Sequence, residues 1–440
     1  MKSYFSVCSS KLFWLKETMM HRGLNRLWTK CFPLENYSRS DLERLRDEKL
    51  KHLLPHAATT VPYYKDYFAR TGVDPSKATL NDFPIIEKKD IRGHEEEFVS
   101  TAKGMPKISW SRTSGSTGEP FRFGRSEFTY TYATLWRGLF RFGIRPGDRR
   151  VLVKGVDEAA HVSLTTKIRR WIYGLINRCI VIDAHFLARN DANIIRELNR
   201  LVAYRPKYLH GYVSSIYLLA LTAEKHNIDL ASLKVKAVVT ESEKCHSFQR
   251  ELIERIFAAP VVENYGCVEF GMIAQPAKDG PLRINEDHVR IETDQNGAII
   301  LTNLDEYGFP LIRFKNGDRV TIGGVHNELP YRILTSVEWR IAETIHLPQG
   351  GVVHGYMVMY PISKHVKYLR EYQVYQPDID HLLSRVVESE PLPHGIEMQI
   401  INEMRDIVGD NLKLEIQKVQ SIALTKRGKR AFVCSEVQAH

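Results

Sequence analysis

Six consecutive residues, Thr113, Ser114, Gly115, Ser116, Thr117 and Gly118, are hydroxyl-bearing or glycine, and they stand inside the stretch SWSRTSGSTGEPFRFG. Such a loop suits a polyphosphate, because glycine lets backbone N–H groups turn towards an anion while hydroxyls add further donors. A flexible Ser/Gly connection has the same composition, so the loop alone leaves both readings open. The common nucleoside triphosphatase loop is excluded, since Gly118 is followed by Glu119 and Pro120 where that pattern needs Lys and then Ser or Thr.

A second set of chemically able residues follows short apolar runs. VKAVV is followed by Thr240, Glu241, Ser242 and Glu243, and PVVEN by Tyr265, Gly266, Cys267, Val268 and Glu269. A tyrosine at a close backbone approach with a carboxylate four residues on could stack a base and hold a cation. In isolation YGCVE reads equally as a turn with a surface carboxylate. Further along, LTNLDEYGFPLIRFKNGDRV places Arg313 and Asp318 after a strand, and TKRGKR carries Lys429 in a glycine-containing loop. Arg313 is open to either a salt bridge or a ligand contact. Asp318 and Lys429 sit on no apolar periodic face.

The elements that must position these groups are legible in outline. Apolar runs at 151–153, 179–182, 208–210, 235–239 and 260–263 alternate with segments of helical period such as Ile194, Ile195, Leu198, Leu201 and Val202. That order predicts βαβ units and a mostly parallel sheet, whose ligands lie beyond the carboxyl ends of the strands. Ile168, Trp171, Ile172, Leu175, Ile176 and Cys179 also have helical spacing. Lys167, Arg169, Arg170 and Arg178 beside them could meet lipid headgroups, but the segment is read as a core helix with a solvated basic edge. After residue 285, HVRIETDQNGAIILTNL predicts two strands around a DQNG turn. From about residue 342 a small α+β unit is expected, with strands at VKYLREYQVY, IEMQI and LKLEIQKV.

With 440 residues the chain exceeds what one core usually serves. The formal charge of +10 favours an anionic partner, but no dense basic run points to nucleic acid. The six cysteines show neither a C-x-x-C pair nor a zinc-type spacing, which fits reduced thiols in a cytoplasmic protein. The opening MKSYFSVCSSKLFWLKETMM is too broken for a signal peptide and too short for a membrane span.

Taken in order, TSGSTGEP, LHGYVSS, TESE, ENYGCVEFG, PLIRFKNGD and LTKRGKRAFV resemble the adenylate-forming superfamily of acyl-CoA synthetases, and within it the phenylacetate–CoA ligase-like, capsular-polysaccharide branch. HLLPHAATTVPYYKDYF and FPIIEKKDIR look like the leader of that branch, so the resemblance runs from about residue 51. It implies an α/β fold: a large N-terminal domain over 1–338 with parallel-rich sheets, helices and a β region, a hinge at 338–341, and a small mobile α+β domain over 342–440.

The resemblance further implies ATP, Mg²⁺ and CoA as cofactors, a small carboxylic acid as substrate, and a thiol or amine acceptor, extending to a sugar nucleotide or glycan. Thr113 to Gly118 would hold the β- and γ-phosphates. Tyr265, with Glu263, Asn264 and Gly266 around it, would pack on adenine, Glu269 would ligate Mg²⁺, and Asp318 would accept from the ribose hydroxyls. Arg340 matches the arginine after the ribose-binding aspartate, and Lys429 the lysine that reaches the carboxylate and the α-phosphate. The acyl pocket would be drawn from Tyr212, Val213, Ser214, Glu241 and Ser242. A carboxylate there favours a substrate bearing an amino or hydroxyl group, provided that Glu241 points inwards. Trp339 stands where the family usually has glycine at the hinge, which sets the second half-reaction apart. The alternative of another class is a scaffold that binds nucleotide or acyl ligand without turnover.

Overall fold

The structure, a computed structural model, describes residues 36–113, 121–126, 129–154, 176–187, 191–277, 280–325, 330–338, 344–348, 352–424 and 431–437, with the single positions 15, 168, 172 and 174. It is α/β, as expected. Helix α1 (Arg39–Thr60) starts on a reciprocal cap, in which Ser38 Oγ accepts from the Asp41 amide and Asp41 accepts from the Ser38 amide. Helix α2 (Pro62–Thr71) opens on a proline, where the missing N–H costs nothing, and stops at Gly72 in the left-handed region (φ 73°). Leu53, Ala57, Tyr64 and Phe68 from these helices are buried in the core beneath the antiparallel sheet. The leader then lies along that sheet, with Ile86 bridging Phe314 and exchanging backbone hydrogen bonds with Arg313 and Lys315.

Strands β1 (Ser109–Thr113) and β2 (Phe121–Arg125) form an antiparallel hairpin with Thr113 opposite Phe121. Helix α3 (Thr129–Arg141) follows. The parallel sheet contains β3 (Arg150–Lys154), β4 (Cys179–Asp183), β5 (Tyr208–Tyr212), β6 (Val238–Glu241) and β7 (Val261–Glu263) in the order β4-β3-β5-β6-β7. Helices α4 (Asp191–Tyr204), α5 (Val213–Lys225) and α6 (Ser247–Phe257) pack their apolar residues on one face. Helix α3 covers the other through Tyr130, Ala133, Trp136 and Leu139 against Val239 and Val262. The strand order reverses between β3 and β5, which opens a crevice at their carboxyl ends. Gly211 in β5 is required by close packing, since a Cβ there would stand 2.0 Å from the Val153 carbonyl oxygen.

One residue beyond β7 the chain enters a seven-stranded antiparallel sheet. It is built from β8 (Tyr265–Cys267), β9 (Gly271–Pro276), β10 (Leu282–Ile284), β11 (Val289–Thr293), β12 (Ala298–Asn303), β13 (Phe314–Val325) and β14 (Arg332–Glu338), in the order β11-β12-β13-β14-β10-β9-β8. The DQNG turn joins β11 to β12 as expected, closed by Asp294 Oδ1 accepting from the Asn296 and Ala298 amides.

A separate core gathers Ile345, Val358, Tyr372, Val386, Met404 and Val433 among others. Its elements are the hairpin β15 (Thr344–His346) and β16 (Val352–His354), helix α7 (Gly355–Ser363), β17 (Leu369–Asp378), β18 (His381–Glu388), helix α8 (His394–Val408), β19 (Lys413–Lys418) and β20 (Val433–Ser435). The last four strands form the sheet β19-β18-β17-β20. Two expectations are corrected. IEMQI is not a strand but part of α8, because Ile400, Met404 and Val408 continue it at helical spacing and are buried. Positions 168, 172 and 176 are helical, but Ile168, Ile172 and Ile176 are 44–47% exposed, so their line at every fourth residue is not a core face. Among the described residues no helix is long and apolar enough to cross a membrane.

A buried ion pair locks α3 to the antiparallel sheet. Both guanidinium nitrogens of Arg137 reach Asp287, at 2.8 and 2.9 Å, and Tyr130 donates to the same carboxylate at 2.7 Å. Burial alone would raise the Asp287 carboxyl, but the adjacent Arg137 charge holds it well below the usual carboxylate range. Its stabilising contribution is therefore complete above the unfolded carboxylate value of about 3.9 and is lost as pH falls towards the depressed folded value. Asp287→Ala, which strands the arginine, is expected to cost about 3–5 kcal/mol in denaturant unfolding at neutral pH.

Candidate functional site

The carboxyl ends of β5, β6 and β7 carry polar groups where the interior of the sheet is apolar. At the end of β6, Glu241 Oε2 lies 2.9 Å from His210 Nε2 of β5. Ser242 takes a left-handed backbone (φ 71°), and Glu243 follows to cap α5. That carboxylate accepts from the Ser214 amide at 2.7 Å and from the Ser214 hydroxyl at 3.0 Å, satisfying donors at the positive end of the helix. Tyr212 and Val213, at the turn from β5 into α5, are buried.

Glu263 faces α6, accepting from the Cys245 amide and from Arg250, each at 3.0 Å. Asn264 is 2% exposed, and its amide donates to the Thr240 carbonyl, which continues the parallel ladder one step past β7. Tyr265 is buried and donates to Asp318 Oδ2 at 3.0 Å. Asn316 Nδ2 donates to the same oxygen at 2.9 Å, and the Asp318 amide donates back to Asn316 Oδ1. Burial, with the Asp318 charge beside it, raises the Tyr265 hydroxyl well above its ordinary value, so it serves as a donor.

The hairpin of β8 and β9 brings the remaining groups together. Gly266 packs so closely that a Cβ would lie 2.1 Å from the Gly271 carbonyl oxygen. Glu269, at the turn, has a side chain 2% exposed and stands 3.5 Å from Lys88 Nζ. Cys267 follows on β8: burial first, then the charges of Glu269 and Asp318, push its thiol well above the usual range. Tyr265 and Glu269 at the β8–β9 hairpin and the distant Asp318 of β13 therefore share one neighbourhood. Lys88 also lies 5.6 Å above the Phe121 ring, at the root of the β1–β2 hairpin whose connection is the Ser/Gly loop.

Several buried polar atoms here have no hydrogen-bond partner among the described residues: His210 Nδ1, Thr240 Oγ1, both amide atoms of Asn264 and Glu269 Oε1. A buried polar group left unpaired costs about 1–3 kcal/mol, so their gathering at strand ends marks where a ligand's polar groups belong. Glu269 Oε1, a buried carboxylate oxygen with no close hydrogen bond and only the Lys88 ammonium 3.5 Å away, fits a hard cation. No group of three or more His, Cys, Asp or Glu side chains suited to a metal occurs among the described residues, so any cation there would depend on ligand oxygens as well.

Arg313 has a left-handed backbone (φ 53°), and its guanidinium is engaged by the Phe83 carbonyl at 3.1 Å and Glu292 at 3.6 Å, tying the leader to the sheet. Thr113 is the last residue of β1. Ser114, Gly115, Ser116, Thr117, Gly118, Trp339, Arg340 and Lys429 lie outside the described residues. Sequence reasoning gave no role to Lys88 or His210. Both lay in quoted motifs, FPIIEKKDIR and LHGYVSS, but only the fold shows what they face.

The chain is similar to several known proteins. Residues 345–436 match the family model described as the CapK C-terminal domain. The chain is 24% identical over 416 residues to protein CapK of Staphylococcus aureus, covering 91% of this chain and 90% of that one. It is 25% identical over 315 residues to the phenylacetate-coenzyme A ligase of Pseudomonas putida, covering 65% and 68%. The fold is similar to that of 2-hydroxyisobutyryl-CoA ligase in the postadenylation state in complex with R3-HIB-AMP, with a TM-score of 0.72, 18% identity and coverage of 92% and 91%.

The tight hairpin makes one consequence measurable. Gly266→Ala forces β8 from β9 and should lower unfolding stability by about 1–3 kcal/mol, read by denaturant titration.

Proposed function

We propose that the chain is an adenylate-forming enzyme of the CapK and phenylacetate–CoA ligase-like branch, which couples a small carboxylic acid to AMP from ATP and then passes the acyl group to the thiol of CoA or to an amine. The observation that carries the reading is the convergence of Tyr265 and Glu269 of the β8–β9 hairpin with Asp318 of β13, with Lys88 near both Glu269 and Phe121 at the start of β2. In the first step a carboxylate oxygen attacks the α-phosphorus and the bond to pyrophosphate breaks. In the second, sulfur or nitrogen attacks the acyl carbon and AMP leaves with the bonding pair. Charge builds on phosphoryl oxygens, so cations and donors fixed beforehand do most of the work.

Asp318, oriented by Tyr265 and Asn316, would accept from the ribose hydroxyls, as an acceptor-only carboxylate can. The Ser/Gly loop would grip the β- and γ-phosphates, and Tyr265 would back the adenine. Glu269 would hold Mg²⁺, which when bound supplies positive charge to the phosphate oxygens. Lys88, beside Glu269, would add a second cation to the same region. Lys429 would reach the acid's carboxylate and the α-phosphate from a small domain over 342–440, with Arg340 in the hinge at 338–341 and a large domain over 1–338. Rotation about that hinge would present the second pose, and Trp339 would stiffen it. Decoration of a surface polysaccharide, with a sugar amine as acceptor, fits the similarity to CapK. The protein would act in the cytoplasm, where ATP and CoA are available.

Pyrophosphate release measured with a panel of carboxylic acids tests this reading. Lys429→Ala should lower adenylation on the order of 10²-fold or more with nucleotide binding retained; an undiminished rate removes that residue from the chemistry. Asp318→Ala should weaken ATP binding by about 1.5–3 kcal/mol in calorimetry, the loss expected for a hydrogen bond to a charged group. Equal affinity in variant and parent would end the ribose assignment.

A further inference from the structure

On the face of the parallel sheet that α3 covers, strand alternation places His210, Glu241 and Asn264 on one side at the carboxyl ends. His210 pairs with Val239, Val239 pairs with Val262, and both valines pack in the core cluster of α3. Glu241 and Asn264 each follow those valines by two residues, so they share that face one pleat further out. Thr240 and Glu263, paired with each other, belong to the opposite face, with α5 and α6.

The hydrogen-bonding inventory of this cluster is incomplete in a directional way. Glu241 engages His210 Nε2, and Nδ1 on the far side of the ring, an acceptor whenever Nε2 alone carries the proton, is buried without a partner among the described residues. The Asn264 side chain offers two N–H donors and a carbonyl acceptor, and neither of its amide atoms is paired among the described residues. The Glu241 side chain is 31% exposed while that of His210 is 7%, so the carboxylate stands at the open end of the cluster. A plain hydrocarbon acyl group here leaves every one of these atoms unpaired. A hydroxyl or amino group supplies the donor that Nδ1 and the Asn264 carbonyl lack, and a hydroxyl oxygen also accepts from the Asn264 amide.

Building on the adenylation reading, we infer that this cluster selects the acid: the substrate is a carboxylic acid whose acyl chain carries a hydroxyl or amino group, and His210 and Asn264 read that group while Glu241 holds the imidazole. Neither His210 nor Asn264 takes part in phosphoryl transfer under this assignment. They set specificity, so their removal should change which acid is preferred.

The test is pyrophosphate release by the full chain with acids matched in skeleton: propanoate, lactate and alanine; butyrate with its β-hydroxy and β-amino derivatives; benzoate, salicylate and anthranilate. The polar member of at least one set should exceed its hydrocarbon parent in kcat/KM by roughly 10²-fold or more, because a site built to hydrogen-bond a polar group strands its own partners when that group is missing. The favoured member of that set distinguishes hydroxyl from amine. Asn264→Leu and His210→Phe should each shrink that ratio by about tenfold or more, whereas simple damage to the fold lowers both members alike and leaves the ratio standing. Equal use of hydrocarbon parents, or ratios unchanged in both variants, overturns the assignment and leaves adenylation intact. No pyrophosphate with any acid of the panel overturns the adenylation reading, and the inference with it.

Discussion

Between Glu263 and Tyr265 the chain leaves a parallel sheet and enters an antiparallel one, with Asn264 the single residue between them. Each peptide group at this crossing keeps a partner: the Asn264 amide stays in the first ladder through Thr240, and Tyr265 joins the second opposite Ala274. Because side chains alternate, the crossing sends three neighbours in three directions. Glu263 anchors α6, Asn264 faces the end of the parallel sheet, and Tyr265 is buried in the antiparallel core beside Asp318. The two halves of the site, strand ends on one side and the β8–β9 hairpin on the other, are held in register by this one residue.

The remaining polar network serves that junction. Arg137 and Asp287 fix α3 between the two sheets, and α3 in turn covers the face on which His210, Glu241 and Asn264 lie. Burying such a pair is of little net benefit to stability compared with apolar packing, but either partner left alone is costly, so the pair specifies one seating of the helix. The leader adds a second tether. Ile86 runs along β13 two turns of pleat before Asp318, Arg313 ties down Phe83, and Lys88 is thereby delivered to Glu269. Structural contacts and the chemistry proposed for the site are thus interleaved along the same few segments.

Charge placement at the hairpin follows from burial. Glu269 and Asp318 both act on the Cys267 thiol and keep it protonated, and Arg125 is pulled down from its usual value by burial despite the carboxylates near it. Two buried carboxylates close together have a strong demand for positive charge. Lys88 meets part of that demand in this structure, and the chemistry proposed for the site would meet it with Mg²⁺ and the phosphates it holds.

The sequence by itself determined the order of the elements and the motifs they carry. Alternating apolar runs were enough for the parallel strands and the DQNG hairpin, because burial on a sheet face imposes a local period that a short window reveals. It also determined Tyr265, Glu269 and Asp318 as residues to watch. Local pattern failed where two periods overlap: IEMQI alternates like a strand, and only the burial of Ile400, Met404 and Val408 on one helical face resolves it. It failed again at Ile168, Ile172 and Ile176, whose helical spacing is real but whose exposure depends on what packs against them. Only the tertiary structure decided that Lys88 meets Glu269, that Arg313 serves the leader, that His210 pairs with Glu241 and that Asn264 is buried with its side-chain amide unpaired among the described residues. Each of these joins residues far apart in the chain, and such pairings are set by how sheets cross and helices seat, which no local spacing encodes.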